Sequence, residues 1–240
     1  METARIAELL APFVPHPLAE EPLAKIAGYL DLLLRWNQRI NLTSVRDPQQ
    51  IVTRHFGESL FAAANLFRPA GGGPTAPGWA GERSLPHDAG SSRVIDVGSG
   101  AGFPGLPIRI YAPVVLTLIE SRQRKAAFLR EVARLLDFSD VEVFAGRAED
   151  YPAKPASVPV TVTLRAVERF EQALSAAADL LRASSQSRQF GRASRLALLI
   201  GTAQVERARE LEPEFAWADP IRIPQSQSRV LLVGQLADPH

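Results

Sequence analysis

Hydrophobic residues recur every three to four positions near the start of the chain, which is the spacing of an amphipathic helix. Over residues 19–36 the recurring positions are Leu23, Ile26, Ala27, Leu30, Leu33 and Leu34. A shorter pattern of the same kind covers residues 3–11. Both patterns predict helices that bury one face against another part of the protein.

A further helix is predicted to begin at Asp47, a residue type that caps helix N-termini well. Pro48 then occupies the first helical position, and Gln50 completes a capping box. The buried face of this helix is predicted to consist of Val52, Phe56, Leu60, Ala63 and Phe67. Residues 1–68 are therefore predicted to form a small helical unit.

Residues 69–92 are dense in Gly, Pro and Ser. Such a segment has little apolar surface to bury, so we expect a flexible linker that is mobile and dispensable for function.

Short apolar runs typical of buried strands alternate with helical patterns in the rest of the chain. The strand candidates are residues 93–97, 115–120, 141–144, 160–164, 196–200 and 229–236. Helical periodicity separates several of them, over residues 122–137 and 168–182. This alternation predicts right-handed βαβ units and a mostly parallel sheet. Residues 93–240 are thus predicted to form a Rossmann-like α/β domain.

The composition excludes several classes of protein and site. Because there is no cysteine, a disulfide scaffold, an iron–sulfur cluster and a cysteine nucleophile are ruled out. The four histidines show no metal-ligand spacing, so no metal site is expected. No apolar run approaches the roughly 18–20 residues that span a bilayer, and the first residues lack signal-peptide features. We therefore expect a cytoplasmic protein with no membrane partner.

The formal net charge is +1, which does not by itself indicate a nucleic acid partner. The 27 basic residues include only three lysines, which leaves 24 arginines. Arginine suits phosphate recognition and base stacking better than lysine, but a GC-rich genome produces the same bias. Any RNA-binding surface must therefore come from local patches of charge.

A glycine-rich loop follows the first predicted strand directly, in the sequence Asp96-Val-Gly98-Ser-Gly100-Ala-Gly102-Phe-Pro-Gly105. Glycines at alternate positions let the backbone turn tightly and approach a ligand closely. The loop lies where a doubly wound sheet places its ligand crevice, at the carboxyl end of a strand. By spacing alone, the motif fits dinucleotide binders and nucleoside binders alike.

Three details favour S-adenosyl-L-methionine (SAM) as the ligand. Asp96 precedes the first glycine by two residues, where a carboxylate can meet the cationic amino acid end of SAM, directly or through water. Pro104 and Pro107 make a poor start for the long helix that a pyrophosphate needs. Glu120 ends the second strand, where a carboxylate accepts hydrogen bonds from both ribose hydroxyls. The alternatives are a structural cap on the glycine turn for Asp96 and a solvated strand end for Glu120.

Two later loops are expected at the same edge of the sheet. After the third strand, backbone groups near Ala148 can read the adenine edge, and Glu149 can accept a hydrogen bond from its amino group. After the fourth strand, Arg165 is expected to face the crevice, with a structural salt bridge as the alternative.

Several segments resemble the RsmG (GidB) family. They are Trp36-Asn-Gln-Arg-Ile-Asn-Leu-Thr43, Arg46-Asp-Pro48, Arg54-His-Phe-Gly-Glu-Ser-Leu60, the glycine loop through Pro107, Glu120-Ser121, Arg124-Lys-Ala-Ala-Phe-Leu-Arg130, Gly146-Arg-Ala-Glu149 and Arg165-Ala-Val167. They occur in the family's order and cover most of residues 30–170. The combination is specific because the helical and glycine-loop motifs are unrelated to each other.

The resemblance implies a SAM-dependent methyltransferase that modifies N7 of one guanine in the decoding-region loop of 16S ribosomal RNA. Its partner would be this RNA or the small ribosomal subunit. The resemblance assigns the cofactor site to Gly98, Phe103, Ala148, Glu149 and Arg165, and it agrees with the choice of Asp96, Gly100, Gly102 and Glu120 made above. No catalytic base is expected, because guanine N7 already carries a lone pair.

The sequence also offers candidates for holding RNA, which are Arg35, Arg39, Arg46, Arg54 and the face of Arg122, Arg124, Lys125 and Arg130. The alternative for each of them is a solvated helix face. His55 borders the apolar face of its helix, so we expect a packed residue and not a catalytic one. The chain departs from the family pattern in its long linker, in Leu164 where Ser is usual, and in Ile200 where Lys is common.

Two other functions stay open at this point. The chain can be a methyltransferase for a small molecule or a protein, since this fold hosts many substrates. It can also be a SAM-binding or nucleotide-binding regulator without turnover. A nucleotide dehydrogenase is a weaker alternative, which cofactor binding would separate from the others.

Overall fold

The computed structural model describes residues 1–67, 92–165, 169–185 and 194–236. The helices are α1 (Thr3–Leu10), α2 (Glu20–Asn37), α3 (Pro48–Ile51), α4 (Glu58–Leu66), α5 (Gly105–Tyr111), α6 (Gln123–Leu135), α7 (Phe170–Ser184) and α8 (Val205–Leu211). The strands are β1 (Arg93–Val97), β2 (Val115–Ile119), β3 (Val141–Phe144), β4 (Val160–Arg165), β5 (Arg195–Gly201), β6 (Phe215–Trp217), β7 (Ile221–Arg222) and β8 (Arg229–Leu236). The predicted linker over residues 69–92 lies almost wholly outside the described residues, so its flexibility stays a prediction.

Within the described residues, the strands form one sheet in the order β3-β2-β1-β4-β5-β8-β6, with β7 also pairing to β8. The first five strands are mutually parallel, and β8 runs antiparallel to β5, β6 and β7. The predicted Rossmann-like, mostly parallel sheet is therefore confirmed. The chain order reverses beside β1, whose two neighbours are β2 and β4. Ligands of such sheets bind at this point, beyond the carboxyl ends of the strands.

The N-terminal helices share a hydrophobic core with one face of the sheet. Tyr29 and Phe56 from these helices belong to the same buried cluster as Leu116 and Leu118 of β2 and Phe128 of α6. A second buried cluster contains alternate residues of β4 and β5 together with the apolar side of α7. The helices predicted over residues 1–68 are present, and they pack onto the α/β domain as part of its core.

The predicted helix after Asp47 begins with Asp47 as its cap, without the reciprocal Gln50 contact of a capping box, and then changes its winding. The Asp47 carboxylate accepts a hydrogen bond from the Gln50 backbone at 2.8 Å. A π-helical turn, Val52–Gly57, separates α3 from α4. A side chain at Gly57 would collide with the Phe13 ring at 2.7 Å, so this glycine allows close packing of the turn. Such turns are frequent at functional sites, and sequence periodicity does not reveal them.

No helix in the described part of the chain is long and apolar enough to cross a membrane. The sequence analysis missed α5 and α8, which are too short at seven residues each to show a clear helical period, and it missed β6 and β7, which have only three and two residues.

Candidate functional site

The glycine loop turns at three residues with positive φ, namely Gly98 at 67°, Gly100 at 57° and Gly102 at 91°. Residues with a side chain rarely adopt this conformation. Gly98 is exposed. A Cβ atom built on Gly100 would have the Gly98 carbonyl oxygen as its nearest neighbour, at 3.8 Å. The loop is therefore open above Gly98 and Gly100, where a ligand can approach the backbone.

Gly102 and Gly105 serve the packing of the loop. A Cβ atom on Gly102 would lie 2.5 Å from both Leu106 and the Tyr29 hydroxyl. A Cβ atom on Gly105 would lie 2.7 Å from Leu118. These two glycines let the loop and the start of α5 approach α2 and β2 closely. The predicted cofactor contact of Gly102 stays a prediction.

Asp96 is fully buried beneath the loop. Its Oδ1 accepts a hydrogen bond from the Thr163 hydroxyl at 2.7 Å, and its Oδ2 accepts one from the Gly105 backbone at 3.2 Å. Burial raises the pKa of Asp96 to about 6, against the opposing effect of these hydrogen bonds. In this structure Asp96 holds the end of the glycine loop at Gly105, which agrees with the alternative of a structural cap, and it also binds β4 through Thr163. Its predicted contact with SAM stays a prediction.

Glu120 joins the glycine loop to the turn that follows β2. Its Oε2 accepts a hydrogen bond from the Gly100 backbone at 2.9 Å, and its Oε1 accepts one from the Arg122 backbone at 2.7 Å. Each carboxylate oxygen can accept more than one hydrogen bond, so both can still bind hydroxyl groups. Glu120, the residue predicted to bind the ribose hydroxyls, thus lies directly beside the open part of the loop.

Ala148 and Glu149 lie in a single 3₁₀ turn, Ala148–Asp150, that follows β3. Because β3 pairs in parallel with β2, this turn lies at the same edge of the sheet as Glu120. Ala148 is buried and Glu149 is exposed. This arrangement is compatible with the prediction that the backbone near Ala148 and the side chain of Glu149 both contact adenine.

Phe103 fastens the loop to the N-terminal helices. Its ring stacks on Tyr29 with centroids 5.4 Å apart and meets Phe56 edge-on at 5.0 Å. The Tyr29 hydroxyl donates a hydrogen bond to the Ala101 carbonyl in the same loop. Phe103 is buried, so its observed contacts hold the loop in shape. The cofactor role that the resemblance implies for it stays a prediction.

Arg165 ends β4 and contacts the N-terminal helices through its Nη2 atom. This atom donates hydrogen bonds to the Arg54 carbonyl at 2.7 Å and to Glu58 Oε2 at 3.1 Å. Glu58 Oε1 in turn pairs with Arg229 Nη2 at 2.5 Å. Burial lowers the pKa of Arg165, and the charge of Glu58 opposes this change. The structural salt bridge that the sequence left open for Arg165 is therefore present, with Glu58 as its partner.

His55 adjoins this group and takes part in it as a neutral ring. Its Nδ1 lies 3.1 Å from Arg165 Nη2, and its Nε2 lies 2.7 Å from the Thr43 hydroxyl. Burial and the nearby Arg165 charge lower the pKa of His55 to about 3. Since arginine only donates, we assign Nδ1 as the acceptor and Nε2 as the protonated nitrogen. With both nitrogens in use, His55 is a packed residue, as predicted, and is not placed to act as a base.

Sequence reasoning missed Glu58, Arg229 and Tyr29 as parts of this site. Glu58 offered one signal, since it is a carboxylate followed directly by buried positions of α4. Arg229 and Tyr29 offered none, because their partners lie far away along the chain.

Comparison with known proteins gives a family match over most of this site. A model of the family described as rRNA small subunit methyltransferase G (GidB) matches residues 22–70 and 84–188. Curated proteins named Ribosomal RNA small subunit methyltransferase G are similar as well. The protein from Roseiflexus castenholzii is 42% identical over 133 residues, which cover 55% of this chain and 48% of that protein. The protein from Chloroflexus aggregans is 37% identical over 169 residues, which cover 69% and 62%.

A longer match is found with the protein of the same name from Solibacter usitatus. It is 33% identical over 183 residues, which cover 75% of this chain and 74% of that protein. The matches to the first two relatives span about half to three-fifths of those proteins.

Proposed function

This chain belongs to the rRNA small subunit methyltransferase G (GidB) family, and on that premise we propose that it methylates N7 of a guanine in the decoding-region loop of 16S ribosomal RNA, with SAM as the methyl donor. The observation that carries the proposal is the contact between Glu120 and the Gly100 backbone at 2.9 Å. It puts an acceptor for ribose hydroxyls at the opening of a glycine loop, at the reversal point of a doubly wound sheet.

The residues around this contact fit SAM. The open backbone at Gly98 and Gly100 leaves room for a nucleoside, because a side chain on either residue would enter that space. Both oxygens of Glu120 would accept from the ribose hydroxyls. The backbone at Ala148 and the carboxylate of Glu149 would recognise adenine. Asp96 would act chiefly by shaping the loop from below, since both of its oxygens already bind the protein.

When bound, SAM supplies an electrophilic methyl group on its sulfonium centre. Guanine N7 has a lone pair in the plane of the ring, so no proton has to leave before it reacts. The chain's own residues therefore need only hold the two reactants in line, which is an effect of proximity and orientation. The neutral, fully engaged His55 agrees with a reaction that uses no general base.

Arg165 would supply part of this orientation. It ends β4 beside β1, and three acceptors from the N-terminal helices fix its Nη2 atom. A rigid cation at this edge can brace the cofactor or contact the base. The target guanine must also leave its RNA stack before it can reach the site, as enzymes that modify bases require.

The family supports an RNA substrate. We therefore favour 16S RNA over a small-molecule or protein substrate, and we favour a methyltransferase over a regulator without turnover. The small ribosomal subunit, or 16S RNA within it, is the partner we propose. A cytoplasmic location would follow from that partner.

The direct test uses purified protein, tritium-labelled SAM and 16S RNA from a strain that lacks this modification. We expect label in RNA, and nucleoside mass mapping should find one N7-methylguanosine in the decoding-region loop. SAM binding without any transfer to RNA would favour the regulator, and label in protein or in a small molecule would favour the other methyltransferases.

A further inference from the structure

A cleft of ≈ 400 Å³ lies between the end of α2 and the start of α6. Four basic side chains line it, namely Arg39 from the segment after α2, Arg122 from the turn before α6, and Arg124 and Lys125 from the first turn of α6. The side chains of Arg39, Arg122 and Arg124 are exposed. The sequence named Arg39 as one RNA candidate and Arg122, Arg124 and Lys125 as part of another, and the fold brings them together in one cleft.

These four cations lack acidic partners within the described ranges of the chain. No carboxylate there lies within ion-pair distance of any of them, although arginines elsewhere on the surface are paired. On α8, for example, Arg209 binds Glu206 at 2.8 Å. Four uncompensated charges around one concave surface produce a positive potential that attracts a polyanion.

The backbone that carries Arg39 is held in place by side-chain hydrogen bonds. Asn37 Oδ1 accepts from the backbones of Leu42 and Thr43 at 2.9 and 3.0 Å. Arg46 donates to the Asn37 carbonyl and to Asn41 Oδ1, both at 2.9 Å. Asn41 itself lines the cleft. This wall is therefore pre-organised, which lowers the entropic cost of binding.

The cleft adjoins the proposed cofactor site. The Arg122 backbone donates to Glu120 Oε1 at 2.7 Å, while Glu120 Oε2 holds the Gly100 backbone at 2.9 Å. The basic surface thus begins two residues beyond the carboxylate proposed to bind ribose. SAM carries no phosphate, so the cofactor does not account for four cations at this position.

We propose that this cleft binds the sugar-phosphate backbone of the substrate RNA close to the target guanine, with Arg39, Arg124 and Lys125 as phosphate contacts. The inference rests on the proposed function and adds the surface that docks the substrate. Phosphate contacts fix the register of a nucleic acid on a protein without reading its sequence. The cleft would therefore position the RNA, while recognition of the base would lie elsewhere.

The test compares the wild-type protein with the triple variant Arg39→Gln, Arg124→Gln, Lys125→Gln. The matched control is Arg134→Gln, an exposed arginine on the same helix, about 15 Å along its axis from Arg124. The measurements are the affinity for protein-free 16S RNA across a range of salt concentrations, the affinity for small ribosomal subunits, the affinity for S-adenosylhomocysteine, the KM for RNA in methyl transfer and the unfolding temperature.

We expect the triple variant to bind 16S RNA at least about tenfold more weakly, and the dependence of log K on log salt to become shallower by about 0.7 for each lost phosphate contact. The KM for RNA should rise, while the affinity for S-adenosylhomocysteine and the unfolding temperature stay at wild-type values. Arg134→Gln should behave as the wild type does.

Wild-type RNA affinity and salt dependence in the triple variant would overturn the inference. A parallel loss of S-adenosylhomocysteine affinity would also overturn it, since the cleft would then belong to the cofactor site. A defect seen with small ribosomal subunits but not with protein-free RNA would do the same and point to a ribosomal protein. If the wild type binds RNA through the cleft but transfers no methyl group to it, the proposed function fails and the docking surface stands.

Discussion

Arg165 at the end of β4 donates a hydrogen bond to Glu58 of α4 at 3.1 Å, across 107 positions of sequence. Glu58 is only 2% exposed and also pairs with Arg229, which begins β8. One buried carboxylate therefore ties two strands, at the same edge of the sheet, to the N-terminal helices. Removing one partner of a buried ion pair is strongly destabilising, because it leaves the other charge buried without a counter-charge.

Replacing Glu58 should test that connection. We expect Glu58→Ala to lower the free energy of unfolding by about 3–5 kcal/mol, because it leaves two buried or half-buried arginines without a counter-charge. Urea unfolding followed by circular dichroism measures the change. Glu206→Ala is the control, since its pair with Arg209 is exposed and such pairs contribute little. A loss for Glu58→Ala no larger than that of the control would contradict the prediction.

Arg165→Ala should slow methyl transfer to 16S RNA at least about tenfold, roughly 1.4 kcal/mol in the transition state. It should also reduce stability, because the buried Glu58 carboxylate then has Arg229 as its one remaining ion-pair partner among the described residues. Rates are compared at a temperature where the variant is folded. If SAM affinity falls in step with the rate, Arg165 braces the cofactor; if only the KM for RNA rises, it contacts the substrate. Wild-type turnover would remove Arg165 from the site.

Glu120→Ala should weaken S-adenosylhomocysteine binding by roughly 1–3 kcal/mol, the range for hydrogen bonds to a charged acceptor. The variant removes the proposed ribose acceptor and also the partner of the Gly100 backbone. Calorimetric titration measures the change. Glu149→Ala serves for comparison, because its side chain is exposed and makes one proposed contact with adenine. Unchanged affinity in Glu120→Ala would place the ribose partner elsewhere.

The two glycines Gly100 and Gly102 should respond differently to the same substitution. Gly102→Ala should be the more destabilising, because its methyl group would lie 2.5 Å from Leu106 and Tyr29. Gly100→Ala meets no such obstacle and should cost about 1–2 kcal/mol, the strain of a positive φ. It should instead reduce cofactor affinity, since its methyl group enters the open space. Thermal unfolding and calorimetry on both variants would show whether the two effects separate in this way.

His55 should make stability fall as the pH is lowered. Its pKa is lowered from 6.5 to about 3 in the folded protein, so the unfolded chain binds the proton first. The free energy of unfolding should drop between about pH 6.5 and pH 3, by at most about 1.4 kcal/mol per pH unit from this residue. Asp96 acts in the opposite direction, because its raised pKa, about 6, makes the folded state bind a proton first.

The variant His55→Phe isolates the histidine contribution, since Asp96 is unchanged in it. As the pH is lowered from about 6.5 to 4.5, urea unfolding should show the stability of the wild type falling relative to that of the variant. Parallel curves for the two proteins would mean that His55 does not carry this pH dependence.

Several features of this protein were determined by the sequence itself. The long strands and helices of the α/β domain end within two residues of their predicted limits, because alternating apolar runs and helical periodicity are local signals. The glycine loop and Glu120 were predicted as neighbours, since parallel strands that follow each other bring their carboxyl ends to one edge. The capping role of Asp47 was equally local.

Only the tertiary structure decided which distant residues meet. Glu58 with Arg165 and Arg229, Phe103 with Tyr29, and Arg39 with Arg124 join parts of the chain that no periodicity connects. The chemical role of a charged residue depends on its burial and its partners, and both arise when the elements pack. Arg165 therefore connects two parts of the fold, because it is paired with the buried carboxylate of Glu58. Arg124 stays an unpaired cation, because no carboxylate in the described part of the chain lies within ion-pair distance of it.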